Sequence, residues 1–327
     1  MKIIFINPFS KSLITGGIKV TYQHAKLLLS YGYDVRVFQP EGFPEWLNSG
    51  QDKELVTDAL SDTPDSIFVF PEPFNGWLRD LALTPTSARK VIFCQNQYYM
   101  FMNQLTAKNY RDAGFEAVIV PSHEAKYDMC SIIGFKNEEV HVVPAFIDRE
   151  RFYPTVKEMK ILTAPRKWPA QAGLPAVSDL LQIMFRLKYP KLSNIPWIKL
   201  ENFSVEEVAK QMGSATVFLS LSRMESLALS PLEAMASRCA IVGYHGTGGL
   251  EYATRRNGLW FSPEEYDPVV DALARALLGV ENQDKDIMAM LENAEITASF
   301  FNKARTQEAL LRTYGFLNDK ENLKQLV

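Results

Sequence analysis

The chain has 327 residues, 47% hydrophobic and 22% charged, the balance of a soluble globular protein with enough apolar material for two cores and no sign of extended disorder. Its 35 Lys and Arg stand against 38 Asp and Glu, a net charge of -3, so no general basic field attracts nucleic-acid phosphates, which speaks against a nucleic-acid partner. No run approaches the roughly 18 apolar residues of a membrane-spanning helix, and Met1 to Pro8 stops at Asn7-Pro8, short of a signal-peptide core. A cytoplasmic protein is therefore predicted, with a helix lying on a membrane surface left open.

Short β-branched and aromatic runs alternate with longer amphipathic stretches from the first residues onward. Ile3 to Ile6, Val35 to Phe38, Ile67 to Phe70, Val91 to Phe93, Val118 to Val120 and Val140 to Val143 read as strands, and the helical stretches between them predict parallel pairing. After the first strand, Thr15-Gly16-Gly17-Ile18 opens a helix that runs through Leu27-Leu28-Leu29. Two glycines there permit close backbone approach, and the helix start offers N–H groups to an anion or a sugar hydroxyl. A plain loop and helix cap explains the same residues. The three-glycine dinucleotide spacing is missing, which counts against a nicotinamide enzyme.

Pro144, Ile147-Asp148 and Phe152-Tyr153-Pro154 read as a connecting segment, so residues 1–154 are predicted to form a first domain. A second set of strands begins at Ile161-Leu162 and continues with Trp197 to Leu200, Thr216 to Leu221 and Ala240 to Val242. It predicts a second open sheet over 155–299. The last helical stretch, Phe300 to Phe316, leaves open a return of 300–327 onto the first domain. The fold class is thus α/β, two Rossmann-like open-sheet domains with a cleft expected between them.

Cys94, Cys130 and Cys239 are widely spaced among apolar residues and read as buried, reduced thiols. His24, His123, His141 and His245 lack the i, i+4 spacing that sets two ligands on one helical face. No metal held by the protein is expected. Asp284-Lys285-Asp286 imitates an Asp-x-Asp metal motif, but it follows Glu281-Asn282-Gln283 at a polar helix start, where acidic residues complement the helix dipole.

Because ligands of open α/β sheets bind beyond the carboxyl ends of the strands, the loops there carry the chemistry. The richest runs from Ser222 to Ala236, after the strand containing Val217-Phe218-Leu219. It sets Glu225 and Glu233 with seven residues between them. Ser230, Pro231 and Glu233 also fit a helix start, with Ser as cap, Pro in the first helical position and Glu three residues after the cap, which gives Glu233 a purely structural explanation. Glu225 lies before that start and has none, so it is the stronger functional candidate. Consecutive backbone N–H groups, a helix N-terminus and two carboxylates suit a nucleotide-diphosphate sugar, the amides holding phosphates and the carboxylates accepting from hydroxyls.

The segment resembles the Glu-x7-Glu signature of retaining glycosyltransferases of the GT-B fold, family four. The likeness continues in Val120-Pro121-Ser122 with its helix to Gly134, Val140 to Pro144, Ile147-Asp148 to Pro154, Gly248-Gly249-Leu250-Glu251 and Asn257-Gly258-Leu259. It implies that Glu225 meets the donor sugar, that Glu233 meets the ribose, and that the backbone of Ser226, Leu227, Ala228 and Leu229 lines sugar and phosphates. It further implies a basic pair after the first strand of the second domain, for which Arg166-Lys167 is the candidate. The acceptor, carbohydrate, lipid-linked or another small molecule, would enter near Gly16, Gly17 and Gln95, with Gly248 and Gly249 beside the phosphates. No cofactor is implied beyond the nucleotide-sugar donor. Three places depart from the pattern: Arg166 and Lys167 are adjacent and followed by Trp168-Pro169, Leu227-Ala228 stands where Phe-Gly is usual, and Gln95 occupies a place often held by His. Those departures sustain a rival reading, a GT-B-shaped protein that binds without catalysis; an epimerase or phosphorylase on the same fold is a third.

Overall fold

The computed structural model describes residues 1–47, 50–165, 168–171 and 173–324. The chain divides into two compact units, Met1–Ala145 together with the segment from Ala304 onward, and Phe146–Lys303.

The N-terminal unit is built on seven parallel strands, β1 (Lys2–Ile6), β2 (Asp34–Phe38), β3 (Val56–Thr57), β4 (Ser66–Pro71), β5 (Arg89–Phe93), β6 (Phe115–Val120) and β7 (Val140–Val142), in the spatial order β3-β2-β1-β4-β5-β6-β7. The central strands are buried on both faces, β4 along its whole length, which is why they read as continuous apolar runs rather than alternating ones. Lys90, 1% exposed on β5, is the exception. Its ammonium donates to the carbonyls of Ala82 (2.9 Å) and Ala113 (3.1 Å) and to Thr84, and so closes the C-terminal ends of the helices Trp77–Leu83 and Ala107–Asp112, where a cation meets unsatisfied carbonyls.

The C-terminal unit has five parallel strands, β8 (Glu158–Thr163), β9 (Trp197–Lys199), β10 (Ala215–Leu221), β11 (Ala240–Tyr244) and β12 (Leu259–Phe261), ordered β12-β11-β10-β8-β9. Helices Val177–Lys188, Tyr266–Glu281 and Lys285–Ser299 supply Leu181, Phe185, Val269, Leu273, Leu277 and Leu291 to its core.

The division falls at Ala145, nine residues before the expected boundary at Pro154. Residues 146–154 belong to the C-terminal unit because Ile147 N–H donates to Phe301 O (2.8 Å), Thr155 N–H donates to Gly213 O (2.9 Å), and Phe152 is buried. Helix Lys303–Lys324 packs on the N-terminal unit through Leu310, Tyr314 and Leu317, all at most 1% exposed. Their i, i+4, i+7 spacing is one helical face. Tyr314 meets Tyr33 (ring centroids 6.5 Å), Thr306 donates to Pro144 O (2.8 Å), and Arg89 donates to Leu317 O (2.8 Å). Two expectations need correction. Cys130 is half-buried, whereas Cys94 and Cys239 are buried, and the short strands β3 and β12 were not anticipated.

Candidate active site

The loops at the carboxyl ends of β10 and β11 lie against each other, and glycine makes this contact sterically feasible. Ser220 pairs with Gly243 and Leu221 with Tyr244 in the parallel ladder, and the Ser220 hydroxyl donates to Tyr244 O (2.7 Å). Gly243 has φ +124°, and a Cβ there would lie 2.2 Å from Ser220 O. Three residues on, Gly246 has φ +61°, with Arg223 O 2.6 Å and Arg223 N 2.8 Å from the position of a Cβ. At Gly248 the Cβ would meet Ala228 N (2.8 Å), Glu225 O (2.9 Å) and Leu227 Cα (3.0 Å). Only glycine fits these three places without moving backbone.

Polar side chains then lock the Glu225 loop. The Thr247 hydroxyl donates to Glu225 O (2.9 Å) and accepts from Glu225 N–H (3.3 Å), while the Tyr252 hydroxyl donates to Ala228 O (3.0 Å). Burial first, and then the negative charge of Glu225, push the Tyr252 phenol well above its ordinary pKa, so the Glu225 carboxylate stands close enough for its charge to be felt there. Tyr252 O in turn accepts from Asn257 Nδ2 (2.7 Å). Asn257 also donates to Thr297 (3.0 Å) and accepts from Trp260 Nε1 (3.1 Å), tying the loop to the body of the unit.

Helix Leu229–Ala236 begins immediately after this loop, with Ala228 at the N-cap and no side-chain cap. The expected capping arrangement is therefore corrected: Ser230 is the second helical residue and Pro231 the third, where its missing N–H still costs no intrahelical bond. Glu233 is consequently not a cap partner. It is 4% exposed and is the fifth residue of the helix, not the third after a cap. Glu225 is half-buried, Ser226, Leu227 and Ala228 are buried, and Leu229 is half-buried. Gly248 and Gly249 form a 3-10 turn with Leu250 and Glu251, and Gly249 lies against His245, whose Cβ would be 2.5 Å from an added Cβ. The structure thus brings Glu225, Ser226, Leu227, Ala228, Gly248 and Gly249 together at one edge of the sheet. Arg166 and Lys167 lie outside the described residues.

In the N-terminal unit Gly16 is the first residue of helix Gly16–Ser30, and Thr15 caps it by accepting from Ile18 N–H (3.2 Å). Gln95, just beyond β5, donates from Nε2 to Gly17 O (2.9 Å), so Gly17 and Gln95 are also brought together. The backbone N–H of Gln95 donates to Glu72 Oε2 (3.2 Å). Glu72, at the end of β4, is 7% exposed, and burial raises its pKa to about 7 despite the backbone N–H groups that favour its charge. Sequence reading did not single out Glu72, Thr247, Tyr252 or Arg223 for a role. Thr247 had a signal, since it sits between Gly246 and Gly248, but the partners of the others are distant in sequence.

Asp284 caps helix Lys285–Ser299 by accepting from Asp286 N–H and Ile287 N–H (both 3.1 Å), which accounts for the Asp-x-Asp look-alike. Among the described residues no group of three or more His, Cys, Asp or Glu converges in a way that could hold a metal ion, and no helix is long and apolar enough to cross a membrane.

Two units, each built on an open parallel sheet with its ligand-side loops at the carboxyl ends of the strands, are the architecture of the GT-B fold of glycosyltransferases. Solved structures agree: a glycosyltransferase from Rickettsia africae ESF-5 superposes with a TM-score of 0.70 at 14% identity, covering 96% of this chain and 97% of that one. A sucrose-phosphate synthase from Thermosynechococcus elongatus gives 0.69 at 13% identity over 98% and 99%. Anabaena Alr3699/HepE, solved in complex with UDP-glucose, gives 0.62 at 14% over 96% and 99%. Residues 197–297, which contain Glu225 and Glu233, match the family Glycosyl transferases group 1. An alpha-1,6-glucosyltransferase of Actinobacillus pleuropneumoniae serotype 7 (strain AP76) is 26% identical over 282 residues, 80% of each chain. The chain is thus similar to group 1 glycosyltransferases in its C-terminal unit, and its fold is that of GT-B glycosyltransferases.

Proposed function

We propose that the protein transfers a hexose from a nucleotide-diphosphate sugar to an acceptor hydroxyl with retention of anomeric configuration and without a metal ion. The observation that carries this reading is the backbone clamp of Gly246 and Gly248 on the loop from Arg223 to Ala228. It fixes the backbone of the loop that carries Glu225 and leads into helix Leu229–Ala236 at the carboxyl ends of the strands. Glu225 accepts from hydroxyls of the donor sugar, Glu233 from the ribose, and the amides of Ser226 to Leu229 face the diphosphate. Uridine diphosphate glucose is the first donor to try, because HepE was solved with it and the Actinobacillus relative is a glucosyltransferase.

In the transfer, the bond from the anomeric carbon to the diphosphate oxygen breaks as a bond to the acceptor oxygen forms on the same face. The acceptor proton passes to the departing phosphate, so no protein nucleophile is required. Preorganised amides and cations at that leaving group supply the largest share of stabilisation. The acceptor is a carbohydrate, a lipid-linked sugar or another small hydroxyl compound, served by Gly16, Gly17 and Gln95 of the N-terminal unit. The protein works in the cytoplasm, where nucleotide sugars are made.

The test is slow hydrolysis of UDP-glucose by the purified chain in EDTA, with the anomer released followed by NMR. The reading expects α-glucose first, and a rate at least about tenfold lower in Glu225→Gln, equivalent to roughly 1.4 kcal/mol of lost transition-state stabilisation. Inverted product, or hydrolysis that appears only with added magnesium or manganese, contradicts it. Binding without turnover across a broad acceptor panel moves the protein to a non-catalytic role.

A further inference from the structure

A second feature at the same edge of the C-terminal sheet has no role in the reading above. The guanidinium of Arg223 lies 4.2 Å over the indole of Trp168, and that indole packs against the Tyr244 ring with centroids 5.9 Å apart. Tyr244 is 1% exposed and belongs to the core, while Trp168 and Arg223 are half-buried. The three residues follow or end β8, β10 and β11, which are neighbours in the order β11-β10-β8. The column therefore grows out of the core and ends in a cation two residues before Glu225. Among the described residues the guanidinium makes no ion pair and no hydrogen bond, so the stack is its one contact of note.

A half-buried cation without a carboxylate gives up hydration that nothing in the protein returns. Stacking against an indole recovers part of this and fixes the plane of the group, yet leaves the N–H donors at its rim directed outward. A planar fork held in this way is suited to a phosphate, which it can bind through two parallel hydrogen bonds. We infer that Arg223, oriented by Trp168, is a diphosphate-binding residue of the donor site, carrying charge that the sequence pattern assigns to the basic pair after β8. The inference rests on the donor-site reading above and adds a residue and a mechanism of orientation to it. Trp168 is a positioning residue, because it acts through Arg223.

Calorimetric titration of uridine diphosphate and of uridine separates this role from a structural one. Arg223→Met keeps an unbranched stem against the indole and removes the charge. It is expected to weaken uridine diphosphate by at least about tenfold while uridine stays within about twofold, since only the former presents phosphates. The slope of affinity against salt should also become shallower. Arg223→Lys keeps the charge without the planar fork and is expected to fall between wild type and Met, and Trp168→Phe, which keeps a ring under the cation, to stay near wild type. Equal losses for the two ligands, or no loss for either, overturn the inference while the donor-site reading stands. Wild-type protein that binds neither ligand overturns both. Circular dichroism melts of each variant show whether a loss comes from unfolding, and Arg223→Lys carries the comparison if the Met variant melts early.

Discussion

Replacing Gly248 by Ala adds one carbon to the turn that holds the Glu225 loop. The new Cβ would lie 2.8 Å from Ala228 N, 2.9 Å from Glu225 O and 3.0 Å from Leu227 Cα, all backbone atoms that cannot rotate away. Carbon in comfortable contact sits at roughly 3.5–4.0 Å, so loop and turn must separate by something like half an ångström to one ångström. Separation strains the two Thr247–Glu225 hydrogen bonds and the Tyr252–Ala228 bond. Overpacking of this kind costs about 1–3 kcal/mol, which for a chain of this size lowers the melting temperature by several degrees. The effect on catalysis is larger, because displacing a positioned group by about 1 Å can cost on the order of 100-fold. We expect kcat/KM for UDP-glucose to fall at least about tenfold while the protein remains folded at 25 °C. Gly315→Ala is the control: its Cβ meets nothing within 4 Å, and alanine in a helix is neutral to slightly favourable. Wild-type kcat/KM and melting temperature in Gly248→Ala would refute the clamp.

Three further outcomes follow from other parts of the structure. Glu72 has a folded pKa of about 7 against an ordinary 4.5, so the folded state holds its proton more tightly, and stability is lost as pH rises from 4.5 through 7, on the order of 3 kcal/mol in all. His24, buried without a hydrogen-bond partner on either ring nitrogen and lowered to about 3, acts in the opposite sense below pH 6.5. The quantity to follow is therefore the melting temperature of Glu72→Gln minus that of wild type, expected to increase from pH 5 to pH 8; a flat difference contradicts the assignment. Lys90→Met leaves the carbonyls of Ala82, Thr84 and Ala113 without their shared donor, and urea unfolding should show a loss of about 3 kcal/mol or more; a loss below about 1 would show that water replaces the ammonium. Gly243→Ala, with a Cβ 2.2 Å from Ser220 O at φ +124°, is expected to yield little folded protein in a solubility assay, and normal yield would mean that β11 can shift.

Most of the fold was legible because both sheets are parallel and doubly covered, so that strands such as Ile67 to Phe70 and Val217 to Leu219 stand out as unbroken apolar runs. What escaped were strands too short or too exposed to leave a pattern: β3 has two residues, and all three of β12 are half-buried. The boundary at Pro154 was read from composition, whereas the division is set by hydrogen bonds from Ile147 and Thr155 to residues far along the chain. Ser230 looked like a cap because Ser, Pro and Glu have the right spacing, but Leu229 already adopts helical geometry and Pro231 is tolerated in the first turn. At the site, the carboxylates and glycines were visible as residue types. Their meaning was not, since the contact of Gly248 with Ala228 and the stack of Arg223 on Trp168 join loops separated by whole strands and helices.

The central claim is that a nucleotide-diphosphate sugar binds at the carboxyl edge of β10 and β11 with Glu225 on its sugar. A crystal structure of the protein soaked with UDP-glucose in EDTA tests it most directly. The account expects the glucose hydroxyls within hydrogen-bond distance of Glu225, the ribose at Glu233, and the diphosphate against the amides of Ser226 to Leu229. Ligand density elsewhere on the C-terminal unit, or a glucose ring out of reach of Glu225, would contradict it.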